Sequence, residues 1–135
     1  LAAYNTAFAN DGIVIHVKDC IERPINIIYE NTNEYSDVIL HHVIKIDDKA
    51  ALTLLENGSA AARLNQVMEV GIVESATFNH VRVLGRDHER RVATHIFGEL
   101  NSHSKFNSEI NYYKKENQIK IIIESLLYLL RENEV

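Results

Sequence analysis

Cysteine, proline, glycine, tryptophan and net positive charge are all scarce in this chain, and each shortage excludes something. A single cysteine, Cys20, rules out an internal disulfide and suits a reducing, cytoplasmic setting. The five glycines stand singly at positions 12, 58, 71, 85 and 98. No GxxxxGK[ST] loop therefore cradles a phosphate, and the chain is not itself an ATPase. A net charge of -5 opposes a nucleic-acid role, because such binding rests on neutralising phosphates with Lys and Arg. Tryptophan is absent and phenylalanine occurs four times, so there is no aromatic cluster for stacking sugars. No apolar run reaches the roughly 18 residues of a membrane helix, and no basic-then-apolar signal pattern opens the chain. Leu1 stands where an initiator Met would, so residues 1–135 are expected to be one domain taken from a longer protein.

What the chain does have is alternation. Apolar residues make up 46% of it, enough for a domain of this size to bury a core. Ile13, Ile15 and Val17 share one face and Val14 and His16 the other, which is the period of a strand. The only proline, Pro24, stands at the entry of a second strand, Ile25–Tyr29, where its missing N–H costs least. The same reading predicts strands over Val38–Ile46, Leu52–Leu55, Gln66–Val73, Ala76–Leu84, Arg91–Phe97, Phe106–Tyr112 and Ile119–Ile123. Turns are expected at Asn5–Gly12, Asn31–Asn33, Asp47–Lys49, Asn57–Ser59, Glu74-Ser75, Gly98–Ser104 and Lys114–Asn117, with a charged loop over Gly85–Arg90. After Ser125 the pattern fits either another strand or a short C-terminal helix.

A register runs through these strands. Similar runs open at Ala50 (Ala50-Ala51-Leu52-Thr53), at Ala76 (Ala76-Thr77-Phe78-Asn79) and at Ser104 (Ser104-Lys105-Phe106-Asn107). The interleaved strands recur in the same way at Val67, Val92 and Gln118. Such a repeat is what a solenoid shows, each coil stacking on its neighbours. A β-sandwich with strands at similar spacing is the competing architecture.

Chemistry is harder to find. His80, His88, His95 and His103 recur at intervals of 8, 7 and 8, but none has the HxH, HxxxH or CxxC spacing of a local chelate. His41 and His42 fall on opposite faces of one strand and cannot chelate together. A metal site in this chain is therefore left unassigned. Cys20 lies between Lys18 and Arg23, yet no His or Asn completes a nucleophilic pair in sequence. Glu56, Glu69, Glu74 and Glu99 raise paired-carboxylate glycoside cleavage as an enzyme alternative, a His-based metal-binding module being another. No serine lies in a GxSxG elbow. Arg86-Asp87-His88-Glu89-Arg90-Arg91 mixes charge signs and reads first as a solvated turn. No catalytic or cofactor-binding residue is assigned.

The opening run Asn5-Thr6-Ala7-Phe8-Ala9-Asn10-Asp11-Gly12-Ile13-Val14-Ile15-His16-Val17, followed by Arg23-Pro24-Ile25, resembles the start of the core domain of the SufB/SufD scaffolds of the SUF iron–sulfur cluster assembly system. Tyr4 replaces the family's usual leucine. His42–Ile46 with Ala50–Glu56, Asn65–Glu69 with Ala76–Leu84, and Ser104–Ser108 with Lys115–Ile123 resemble further core segments in the same order. SufD is the nearer member. The resemblance implies an all-β, right-handed parallel β-helix. It implies a non-catalytic, cytoplasmic scaffold that pairs with SufB and with the SufC ATPase. The iron–sulfur cluster would be handled by the assembled complex, with no cofactor held by this segment. The family's functional residues have no matching positions here. Self-association through the apolar C-terminal coil edge, Ile119–Leu130, is a further expectation.

Overall fold

A computed structural model describes residues 2–30, 37–59, 63–85 and 91–113. Within them lie one short helix, α1 (Ala2–Phe8), and eight strands: β1 (Val14–Val17), β2 (Ile25–Tyr29), β3 (Asp37–Ile46), β4 (Ala51–Ser59), β5 (Arg63–Ile72), β6 (Thr77–Gly85), β7 (Arg91–Leu100) and β8 (Lys105–Tyr113). The described residues are thus all-β apart from α1. Odd-numbered strands form one sheet in the order β1-β3-β5-β7, and even-numbered strands form a second in the order β2-β4-β6-β8. Every pairing is parallel. A hairpin-built sandwich would instead pair successive strands antiparallel.

The register is set by the repeat. In the first sheet Val14 pairs Val43, Asp37 pairs Arg63 and Arg63 pairs Arg91. In the second, Ile25 pairs Leu54, Ala51 pairs Thr77 and Thr77 pairs Lys105, so the two sheets advance by the same steps. The recurrence expected from the Ala50, Ala76 and Ser104 runs is that of β4, β6 and β8. The expected match of Val67 with Val92 is corrected, because Val92 pairs Leu64 and Val67 pairs His95. The corners repeat too. Lys49, Ser75 and His103 each take a left-handed backbone, with φ of 59°, 59° and 58°. Each corner is closed by a backbone bond, from Ala50 N to Asp47 O, Ala76 N to Val73 O and Ser104 N to Asn101 O, at 3.0, 3.1 and 3.2 Å. The corners also stack: Lys49 N donates to Glu74 O and Ser75 N to Ser102 O.

Alternation puts one face of each strand into the space between the sheets. Ile44, Ile46, Leu52, Leu54, Met68, Val70, Ile72 and Phe78 are buried there, with Ala50 and Ala76 closing the corners. Each large aliphatic group buried in this way contributes about 1.5–3 kcal/mol. On β6 the opposite face is buried as well, at Val81 and Val83, and both faces of a parallel sheet are ordinarily covered.

Three further expectations need correction. The opening Asn5–Gly12 is not simply a turn, since Ala2–Phe8 is helical. Ala2, Ala3 and Ala7 are strong helix formers. So short a helix is marginal alone, and Asn5 docks it: its Nδ2 donates to Leu40 O at 2.8 Å and to Asn65 O at 3.2 Å. Asn57-Gly58-Ser59 does not end its strand, because β4 continues through it to pair with β2 and β6. β7 likewise runs on past Phe97 to Leu100 before the chain turns. Expectations for Asn31–Asn33, for Arg86–Arg90, for Lys114–Asn117, for the strand Ile119–Ile123, for the helix or strand after Ser125 and for the Ile119–Leu130 edge fall outside the described residues.

Candidate functional site

The space between the sheets holds two apolar clusters, one around Ile44, Leu54 and Phe78 and a smaller one at Leu40 and Leu64, with polar side chains between them. Reading inward positions along the strands, Leu54 is followed by Glu56 on β4, Phe78 by His80 and Arg82 on β6, and Ile44 is preceded by His42 on β3. Gln66 on β5 and Tyr29 on β2 face the same region. Glu56, His80, Arg82 and Gln66 are all at most 1% exposed, so this is a polar core segment within the fold.

Glu56 is its centre. Its Oε1 accepts from Tyr29 Oη at 2.6 Å, Gln66 Nε2 at 2.6 Å and Arg82 Nη2 at 3.1 Å. Its Oε2 accepts from His80 Nε2 at 2.5 Å and Arg82 Nε at 3.2 Å. Burial alone would raise the pKa of this carboxyl. The His80 hydrogen bond, the Arg82 charge and the Tyr29 hydroxyl outweigh burial and hold it well below the usual carboxylate range. Glu56 is therefore a fixed anion, unsuited to passing protons to a substrate. The remaining Arg82 nitrogen, Nη1, donates to Thr94 Oγ1.

Two imidazoles extend the network. Ile13 N donates to His42 Nδ1 at 3.0 Å, so that nitrogen is the acceptor and Nε2 carries the proton toward Tyr29 Oη at 2.8 Å. Burial lowers the His42 pKa, and the nearby Arg82 and His41 charges add to this against the pull of Glu56. Tyr29 is pushed far up by burial, then by the Glu56 charge, and stays a donor. His80 turns its second nitrogen, Nδ1, to Ser108 Oγ at 2.8 Å. A carboxylate only accepts, so His80 Nε2 carries a proton, and in the neutral ring Nδ1 then accepts the Ser108 hydroxyl. Among the described residues the buried Oε1 of Gln66 finds no hydrogen-bond partner, an acceptor the network leaves over.

The other sequence candidates are dispersed. His41 faces outward, as its position opposite His42 required, with Nδ1 at 3.0 Å from Asn5 Oδ1 and Nε2 at 2.9 Å from Glu69 Oε2. His95 is half-buried and stacks on Phe97, and His103 sits in a corner. Of the interval series only His80 joins the network; His88 lies outside the described residues. Cys20 is exposed, with Sγ 3.4 Å from Lys49 O. Glu56 and Glu69 belong to different sheets and face inward and outward respectively, while Glu74 and Glu99 are exposed. Among the described residues no group of three or more His, Cys, Asp or Glu could hold a metal ion. On the outer face of the first sheet, a shallow depression of about 500 Å³ lies over Gly71, between Lys45 and Glu99.

Sequence reading missed Tyr29, His42, Gln66, Arg82, Thr94 and Ser108 as one cluster. Its signal was a breach of alternation: polar residues at positions whose neighbours two places away are core aliphatics. The register carried the rest, since Arg82 pairs with Glu56 on the neighbouring strand and Ser108 with His80 on the next. No family model, no curated protein and no solved structure matches this chain.

Proposed function

We propose that this chain is a SufD-like scaffold of iron–sulfur cluster assembly, cytoplasmic, pairing with a SufB-like subunit and a SufC-like ATPase. Its two parallel sheets are read as successive coils of a right-handed β-helix. The observation that carries this reading is the in-register stack of β2, β4, β6 and β8. Three of the sequence segments that resemble the family fall on that stack, and His42–Ile46 and Asn65–Glu69 lie on the paired strands β3 and β5 of the other sheet. Ala50–Glu56 and Ala76–Leu84 lie along the paired strands β4 and β6, and Ser104–Ser108 enters β8 directly beside them. A family likeness that repeats at the coil length is more specific than any one of its short pieces.

The physical demands of a scaffold agree. Stacked coils present long, regular sides to partner subunits, and each coil needs only its neighbours for support. Glu56 is spent on holding the interior together, and the exposed carboxylates do not face it. The cluster and its iron and sulfide are cargo of the assembled complex, not a resident group of this chain.

The test is co-purification. This chain, and separately the full-length product of its gene, is co-expressed with tagged SufB and SufC subunits of the same source. Recovery in a stoichiometric complex on size exclusion is the expected result. If neither subunit retains either form, the scaffold reading fails.

A further inference from the structure

We propose that Ser108 is an activated nucleophile that accepts acyl groups from small apolar esters, with His80 as its base and Glu56 as the positioning residue. The proposal stands on geometry alone and is independent of the scaffold reading. Ser108 Oγ lies 2.8 Å from His80 Nδ1, and His80 Nε2 lies 2.5 Å from Glu56 Oε2. Nucleophile within hydrogen-bond reach of a base, with the base oriented by a third group, is the arrangement that makes a hydroxyl reactive. It is recognised by geometry and roles, not by position in the chain. Here the two ring nitrogens exchange their more familiar partners, but the proton logic is unchanged. The carboxylate fixes Nε2 as the protonated nitrogen and leaves the Nδ1 lone pair for the serine proton.

The surroundings favour this over a purely structural contact in one respect. His80 and Glu56 are fully buried, whereas Ser108 is exposed on the inner side of β8. A base shielded from water thus addresses a hydroxyl that a reagent can reach. Phe106 and Ile110, two places to either side of Ser108, share its side of the strand, and Ile110 is 40% exposed. An apolar acyl chain suits that rim. In the step, Oγ bonds to the carbonyl carbon and its proton passes to His80 Nδ1. The bond to the leaving alkoxide or phenolate breaks, and the leaving group takes the electron pair. The imidazolium then gives its proton to the leaving group or to water, and water hydrolyses the acyl-serine.

The test uses an alkyl fluorophosphonate, in which Oγ displaces fluoride, and p-nitrophenyl acetate. The folded chain is expected to be phosphonylated at Ser108, mapped by peptide mass spectrometry, at least about 100-fold faster than Ser108→Ala or the urea-unfolded chain. With p-nitrophenyl acetate it should release a burst of nitrophenolate close to one per chain. No labelling, labelling mapped elsewhere, or equal labelling of the unfolded chain overturns the proposal. For Glu56, the proton NMR spectrum supplies the readout. A downfield imidazole N–H resonance from the Glu56–His80 hydrogen bond should be present in the native chain. Its absence there overturns the positioning role even if Ser108 is labelled.

Discussion

Glu56 brings a full negative charge into the buried interior, and Arg82 on the neighbouring strand is what makes that tolerable. Two Arg82 nitrogens contact the carboxylate and the third is tied to Thr94. Removing one member of a buried ion pair is far more damaging than replacing both, because the survivor keeps its desolvation cost without compensation. Arg82→Met is therefore expected to destabilise the chain by about 3–5 kcal/mol in urea unfolding at neutral pH. The double variant Glu56→Gln with Arg82→Met should recover a good part of that loss, and together with the Glu56→Gln single variant it closes the cycle that gives the coupling of the pair. If the single and double variants are equally unstable, the ion pair is not what holds this region.

Two elements owe their form to one residue each. β4 passes through Gly58, whose φ of 124° is a backbone few side chains adopt, and a Cβ there would sit 2.2 Å from Tyr29 O. Gly58→Ala is expected to cost about 2 kcal/mol or more, from strain together with loss of the Tyr29–Gly58 pairing between β2 and β4. Gly71→Ala is the control. No atom lies within 4 Å of its added Cβ, and the change should be within about 0.5 kcal/mol in the same thermal melt. Helix α1 depends on Asn5 in the same way. Asn5→Ala removes an amide that is 0% exposed and leaves the Leu40 carbonyl without that partner. The expected loss is about 1–3 kcal/mol, and hydrogen exchange of the α1 amides should accelerate while that of β4 and β6 stays slow. These two corrections show why element boundaries were only partly legible. Asn57-Gly58-Ser59 is turn chemistry by composition, but pairing on both sides of β4 carries the strand through it. The alanines of α1 permit a helix, while the contacts that fix it come from Leu40 and Asn65, far along the chain.

Across the whole molecule, the interior charges make stability dependent on pH in one direction. His42 has a lowered pKa in the folded chain, so below about pH 6.5 the unfolded chain binds a proton there that the folded chain refuses. Stability falls as pH drops through that window. Glu56 is also lowered on folding. Its contribution is complete above the ordinary carboxylate value of about 4.3 and is lost progressively as pH falls below it. The melting temperature should therefore decline in two stages on acidification, the first setting in as pH falls below about 6.5 and the second below about 4.3. His42→Gln should remove the first stage and leave the second. A melting temperature that stays flat from neutral pH down into the carboxylate range would contradict the account of the polar interior.

Alternation, the absence of breakers inside most strands and the recurrence of similar runs at Ala50, Ala76 and Ser104 were enough to read an all-β chain with repeated strands. These properties are local: side chains at every second position, and turn residues between them, constrain the backbone wherever they occur. Pairing is not local. The same strands at the same spacing satisfy parallel stacks or hairpins, and only the closure of hydrogen bonds between alternate strands decided for two parallel sheets. The polar cluster belongs to that decision too. Glu56, His80 and Ser108 are remote in sequence and ordinary singly; they meet because one lies on each of three successive strands of one sheet. A buried carboxylate is stable only where several donors converge, and convergence is a property of the paired strands that no stretch of the sequence contains.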